Sequence, residues 1–291
     1  MNIQRTNNGQ SRGAVIGSPV DARAIRIGAG FDALGFKHEA FAGLMDPLIM
    51  VDHYTMTEPT FGPHGHAGIS AVSILFEDSV GVFNNRDSLG NDIDLLPGDL
   101  YWLKAGKGGL HDEKPTIGSK THGLQLFVNL PATQKFDDPS SLHVKVKDMP
   151  VIEGDDHRVR VVLGQSNQTK GVSSPVLPLT ILDAQFNSGG RYVHHLPKGH
   201  GVWVHPVSGD ALVTIAGVAT RLTPNQALAL QAIDATAVEL SSPDGGQVVL
   251  IEGQSIKEKF VQRGPFAMST LADIEAVTKA FRAGEFGTIA D

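Results

Sequence analysis

Four side chains suited to holding a divalent cation occur as two pairs of equal spacing. His64 and His66 stand in the run GPHGHAGIS, and His111 and Glu113 in GGLHDEKP. In an extended strand, residues i and i+2 project from one face. Each pair therefore presents two donors together, with Gly65 and Asp112 turned away. Two neighbouring strands of one barrel would bring three imidazoles and one carboxylate to a point. That set suits iron(II), manganese(II), nickel(II) or zinc(II). An octahedral cation held by four protein donors keeps two positions for water, dioxygen or substrate, the openness of a reactive site. Spacing alone leaves a plainer reading standing. With 12 histidines in the chain, His64 and His66 also read as solvated turn residues. Glu113 then reads as a surface ion pair with Lys114, which is worth little energetically.

The remaining histidines carry weaker signals. His53, in VDHYTM, follows an apolar run and reads as structural. His122 opens the strand-like THGLQLF and reads the same way, with a place behind the metal as the alternative. His194 and His195 are adjacent, so a strand points them apart. Pro197 and Gly199 then interrupt the run HHLPKGH before His200. His157 and His205 show no partner.

The elements that must position the two pairs are strands. Gly 33 and Pro 16 are spread along a chain of 291 residues, which favours many short elements. Segments such as AVSILFE, DLYWLKA, GLQLFVNL, RVRVVLG, GVWVHPVSG and QVVLIEG alternate or cluster β-branched residues between turn signals. In HVKVKD, Val144 and Val146 face one way and His143, Lys145 and Lys147 the other. This pattern predicts an all-β sandwich or barrel architecture. Near the end, STLADIEAVTKAFRAGEFG predicts a helix. Thr270 and Asp273 form a capping box, Leu271, Ile274, Val277 and Phe281 make an apolar stripe, and Gly284 is the stop.

A weak internal repeat pairs LLPGDLYWL (95–103) with RLTPNQALAL (221–230). Leu95 matches Leu222, Pro97 matches Pro224 and Leu103 matches Leu230. Two related barrels follow, joined at the polar run LGQSNQTKGVSSP (163–175), which also reads as a long loop within one domain. The expected division is residues 1–165 with the metal site and residues 166–291 without metal, ending in the helix. The second half has no HxH followed by HxE at the register of the repeat.

Composition sets outer bounds. The chain is 41% hydrophobic, enough for one large or two medium cores, and its net charge is -7. An acidic chain without a Lys/Arg cluster is no direct nucleic-acid binder. The absence of cysteine excludes disulfides, thiolate zinc and cysteine nucleophiles. The N-terminal MNIQRTNNGQSRGAV lacks an apolar signal core, and no run approaches the roughly 18 apolar residues of a membrane span. A soluble, cytoplasmic protein is expected.

Taken in order, DPLIMVDHY, FGPHGHAGI, RDSLGN, LLPGDLYWLKAGKGGLHDEKP and GLQLFVNLP resemble the pirin family of bicupins. The tail GPFAMSTLADIEAVTKAFRAGEFG resembles the pirin C-terminus. The likeness extends over most of the chain and is strongest over 46–131 and 264–287. It implies two cupin barrels (double-stranded β-helix, jelly-roll-like) with a short C-terminal helix. It also implies one metal in the first barrel, with His64, His66, His111 and Glu113 as ligands. Pirins typically hold iron, so Fe(II) is the expected ion, with Zn, Mn, Ni and Cu as further candidates. Some members act as quercetin 2,3-dioxygenases, which implies a flavonol-like aromatic substrate and a catalytic Glu113 that accepts a proton. Others are redox-dependent transcriptional cofactors, which implies a non-enzymatic iron or redox sensor with a protein partner. The chain departs from the family's HxHRGFET at Ala67 and Ser70, and has Asn85 where a histidine often precedes RDSLG. The altered rim lends some support to the sensor, which stands as the alternative to the leading expectation of a dioxygenase.

Overall fold

A computed structural model of the chain describes residues 10, 11 and 13–289. Most of the polar N-terminal run used to exclude a signal core lies outside them. The described chain is built from short antiparallel strands and one C-terminal helix. Among the described residues, no helix is long and apolar enough to cross a membrane.

Two compact units divide the chain. One takes Arg23–Lys37, Pro47–Met149 and Ile256–Asp291; the other takes Met1–Ala22, His38–Asp46 and Pro150–Ser255. This differs from a cut at 165/166 in three ways. The first strands of the chain go with the later unit, the C-terminal helix goes with the earlier one, and 163–175 lies inside a unit. The polar run is a hairpin there, Gln165–Ser166 pairing Thr169–Lys170. It is anchored because Leu163 is core and the buried Ser166 bonds both Tyr192 and His194.

The unit carrying the paired motifs has a seven-stranded and a four-stranded sheet. The larger runs, in spatial order, Ser140–Val144, Leu100–Lys104, Ile69–Leu75, Thr121–Asn129, Leu48–Met56, Phe31–Lys37 and Arg23–Ile27. The smaller runs Asp92–Leu95, Phe83–Asp87, Gly109–Pro115 and His64–His66. Leu75, Phe83, Leu95, Tyr101 and Leu103 form a common core. The strand expected through HVKVKD stops at Val144, and Val146–Asp148 is a 3-10 turn. Asp99 accounts for the break, because its carboxylate accepts both the His143 ring at 2.9 Å and the Val146 N–H at 2.8 Å.

The other unit repeats the plan. Its four-stranded sheet is Gly190–Leu196, Thr236–Ser242, Ala211–Ile215 and Val218–Leu222, and its large sheet is centred on Gln226–Ala232, His200–Ser208 and Gly246–Gln254. Leu95 and Leu222 each end an edge strand that leads into the large sheet, and both are fully buried. The sequence repeat is thus this shared crossing from small sheet to large.

The helix spans Leu271–Arg282, with Thr270 and Asp273 forming the capping box and Gly284 in the left-handed region at φ 77°. Its buried stripe is narrower than predicted. Ile274 and Val277 pack with Ala67, Phe266, Met268 and Phe286, while Leu271 is 52% and Phe281 40% exposed. Phe281 instead meets Phe266 edge-on.

Candidate metal centre

The His64–His66 strand pairs antiparallel with Gly109–Pro115, placing His111 opposite His64 and Gly109 opposite His66. Both pairs therefore face the barrel interior, and the three imidazoles converge. His66 Nε2 lies 2.9 Å from His111 Nε2, and His111 Nε2 lies 3.1 Å from His64 Nε2. One donor atom from each falls within 4.8 Å of the others. His64 Nδ1 donates to the Gly62 carbonyl at 2.9 Å, which fixes its tautomer and turns the Nε2 lone pair inward.

Glycine separates the histidines for a steric reason. A Cβ at Gly65 would stand 2.9 Å from Phe281 and 3.0 Å from Phe286, so the aromatic tail packs flat on the backbone behind the site. Gly68 is more constrained, with φ at +72° and its missing Cβ 2.0 Å from the Ala267 carbonyl. Lys135 ties the same segment down. Its buried Nζ donates to Gly68 O at 2.9 Å, Asn129 Oδ1 at 2.6 Å and Ala267 O at 2.8 Å.

Burial governs the protonation of the group. His66 is pushed down to about 3, first by burial and then by the neighbouring His64, opposed by a backbone contact with Pro265. His111 is likewise held well below its ordinary value, by burial and by both other histidines. Both are neutral donors at physiological pH. With metal–nitrogen bonds of about 2.1 Å, nitrogens 2.9–3.1 Å apart subtend about 90° at the ion. A tetrahedral ion needs them about 3.4 Å apart. His111 thus stands to each of the other two at a separation that suits neighbouring positions of an octahedron.

Glu113 stands beside this trio, not within the 4.8 Å group. Its Oε1 accepts from Ser73 Oγ at 2.5 Å and its Oε2 lies 3.6 Å from His111 Nδ1, too far for a hydrogen bond. Burial pushes its carboxyl up to about 7, with the Ser73 bond opposing and Asp112 adding. Ser73 Oγ also lies 2.9 Å from Gln125 Oε1. One hydroxyl hydrogen cannot serve two acceptors. Either Glu113 holds a proton and donates, or the Gln125 amide is reversed and donates to Ser73. Lys114 pairs with Asp112, not Glu113, at 3.3 Å, and Arg86 joins the same carboxylate at 2.8 Å.

The histidines and Glu113 line a cavity of about 200 Å³ walled by Phe31, Tyr54, Phe83 and Phe127. Met50, Asp52, Tyr54 and Met56, alternate residues of one strand, all face it. None of these was singled out from sequence, although the period-two run IMVDHYTM carries the signal. Tyr54 is 3% exposed, and its hydroxyl has no hydrogen-bond partner among the described residues. Burial pushes Asp52 up to about 6, opposed by Lys37.

Elsewhere the residues fall as follows. His122 contacts Asp78 and His53 and does not line the cavity. Ala67 is buried in the aromatic cluster and bonded through its carbonyl to Ala267 N. Ser70 alternates away from Ser73, and Asn85 lies across the ladder from Glu113. In the other unit, His194 Nε2 and His200 Nδ1 each contact Glu252 at 2.6 Å, a buried bridge that sequence reading missed because 52 residues or more separate its ends.

Comparison with known proteins places this geometry among relatives. The family profile described as Pirin matches residues 33–128, and that described as Pirin C-terminal cupin domain matches residues 181–287. Human pirin is 31% identical over 244 residues, covering 84% of this chain and 83% of its own. A crystal structure titled quercetin 2,3-dioxygenase from Acinetobacter baumannii superposes with a TM-score of 0.81 at 25% identity, covering 97% of this chain and 99% of that one. The Escherichia coli bacterial pirin YhhW, solved in complex with nickel(II), shares the fold with a TM-score of 0.61 at 18% identity, covering 83% and 99%.

Proposed function

Because the chain belongs to the pirin family of bicupins, we propose that it is a metal-dependent dioxygenase of the quercetin 2,3-dioxygenase type. The observation that carries this reading is the convergence of three imidazole nitrogens at one wall of an aromatic cavity. His64, His66 and His111 would hold the metal, iron(II) first among the candidates, with Glu113 as the fourth donor. When bound, a divalent ion there supplies Lewis acidity to a phenolic or enolic oxygen and a place for dioxygen.

The protein's own residues do the rest. Phe31, Phe83 and Phe127 exclude water and stack against an aromatic substrate. Glu113 accepts the substrate hydroxyl proton at a carboxylate oxygen, and Ser73 and Gln125 hold that carboxylate in place.

The test is oxygen uptake. Protein loaded anaerobically with iron, manganese, nickel or copper, with metal content measured, receives quercetin or a smaller catechol or α-hydroxycarbonyl, and then dioxygen. Uptake that depends on both metal and phenol supports the reading. No uptake with any pair, in protein shown to hold metal, would overturn it in favour of a redox-sensing binding protein.

A further inference from the structure

A second pair of imidazoles meets on the other face of the seven-stranded sheet. His53 alternates with Asp52 and Tyr54, which line the cavity, so it points away from the cavity. Its Nε2 lies 2.8 Å from His122 Nε2, as close as the 2.9 and 3.1 Å of the interior trio. The two rings stand on adjacent strands, Leu48–Met56 and Thr121–Asn129. Both pack edge-on to the buried Phe76, at 5.8 and 4.9 Å. His122 Nδ1 donates to the two oxygens of Asp78 at 2.8 and 2.9 Å, so its Nε2 carries the lone pair. Ser79 pins the Asp78 loop to the same residue, donating to His122 O at 2.9 Å and accepting from His122 N at 3.0 Å. A carboxylate behind an imidazole is the arrangement that orients and strengthens a metal ligand. The pair lines a surface groove of about 610 Å³ together with Arg26, Asp32 and Thr55, and the His122 side chain is 19% exposed.

We propose that His53 and His122 form a second metal site, on the groove side of the sheet, for a divalent ion of tetragonal preference, copper(II) first and nickel(II) next. Two neutral rings hold this spacing through one N–H···N hydrogen bond, and a cation in place of that hydrogen is bound by both. His53 then carries its hydrogen on Nδ1, with no change in charge. With metal–nitrogen bonds of about 2.0–2.1 Å, nitrogens 2.8 Å apart subtend about 84–89° at the ion. Those are adjacent corners of a square, the geometry of copper(II) and nickel(II). Water from the groove fills the other positions. Asp78 offsets the charge of the ion, and the nearby Arg26 is engaged by Asp32 at 2.5 Å. Iron(II) stands low in the Irving–Williams order, so two imidazoles hold it weakly, and the site differs from the cavity trio in its ion as well as its place. A bound ion clamps two strands whose opposite faces carry Asp52, Tyr54, Gln125 and Phe127 of the cavity wall.

The experiment titrates copper(II) into the full chain, counts bound ions by elemental analysis after desalting, and reads their ligands by electron paramagnetic resonance. The wild type should keep one more ion than His53→Gln. Protein with His64, His66 and His111 all replaced by glutamine should still bind an ion with two nitrogen ligands, and lose it when His53→Gln is added. Asp78→Asn, which keeps both rings, should weaken this ion about ten- to a hundredfold. Excess copper should raise the melting temperature of the triple variant and leave that of the quadruple variant unchanged. Equal ion counts in the wild type and His53→Gln, or a copper affinity indifferent to both His53 and Asp78, would overturn the proposal and leave a plain hydrogen bond between the rings. The triple variant keeps this test apart from the cavity metal, because it lacks all three histidines of the trio.

Discussion

His66 and His111 suit the proposed ligand role by neutrality as much as by position. A buried imidazole that resists protonation offers its lone pair to a cation without first losing a proton. Replacing His66 or His111 with alanine should lower metal affinity at least about 100-fold, measured by chelator competition and elemental analysis. Retained affinity in either variant would remove that residue from the site. Ser73 tests the neighbouring carboxylate. Its hydrogen bond lowers the Glu113 value, so Ser73→Ala should move the carboxyl titration of metal-free protein upward from about 7, followed by NMR. A downward or absent shift would show that Ser73 does not donate to Glu113. The pairs His64–His66 and His111–Glu113 were legible in sequence because a strand's period of two turns spacing into direction. The aromatic wall of Phe31, Phe83 and Phe127 was not, since only packing brings those rings to one cavity.

At the scale of elements, the His64–His66 strand has three residues and is held by its surroundings. Gly68→Ala would drive a Cβ into the Ala267 carbonyl at a positive φ, and should cost at least about 2 kcal/mol in denaturant unfolding. Lys135→Met leaves three acceptors without their donor, and should cost about 3–5 kcal/mol and weaken metal binding together. Stability lost with metal affinity intact would show that the clamp does not position the histidines. The C-terminal helix and its cap were readable from Thr270, Asp273 and Gly284 because capping is local chemistry. Its membership of the histidine unit was not, because Ile274 and Val277 find Ala67 across some two hundred positions of chain. A separation of 52 residues or more hid the His194–Glu252–His200 bridge, whose histidines flank a Pro–Gly interruption that reads as an isolated loop.

For the whole molecule, acid should be destabilising. Burial lowers His205 from 6.5 to about 4, against a backbone bond to Gln226. As pH falls below 6.5 the unfolded chain takes up that proton first. Stability is therefore lost between pH 6.5 and about 4, by roughly 3 kcal/mol from this group alone. His205→Gln should flatten the pH dependence of unfolding in that window, and an unchanged slope would contradict it. Truncation after Ser255 keeps every proposed ligand yet removes Ile256–Asp291 from the histidine unit, so bound metal should fall to near zero. X-ray absorption at the metal edge of iron-loaded protein should show one six-coordinate ion per chain with about three imidazole nitrogens near about 2.1 Å. A four-coordinate tetrahedral ion, or an imidazole signal unchanged when His64, His66 and His111 are replaced, would contradict it.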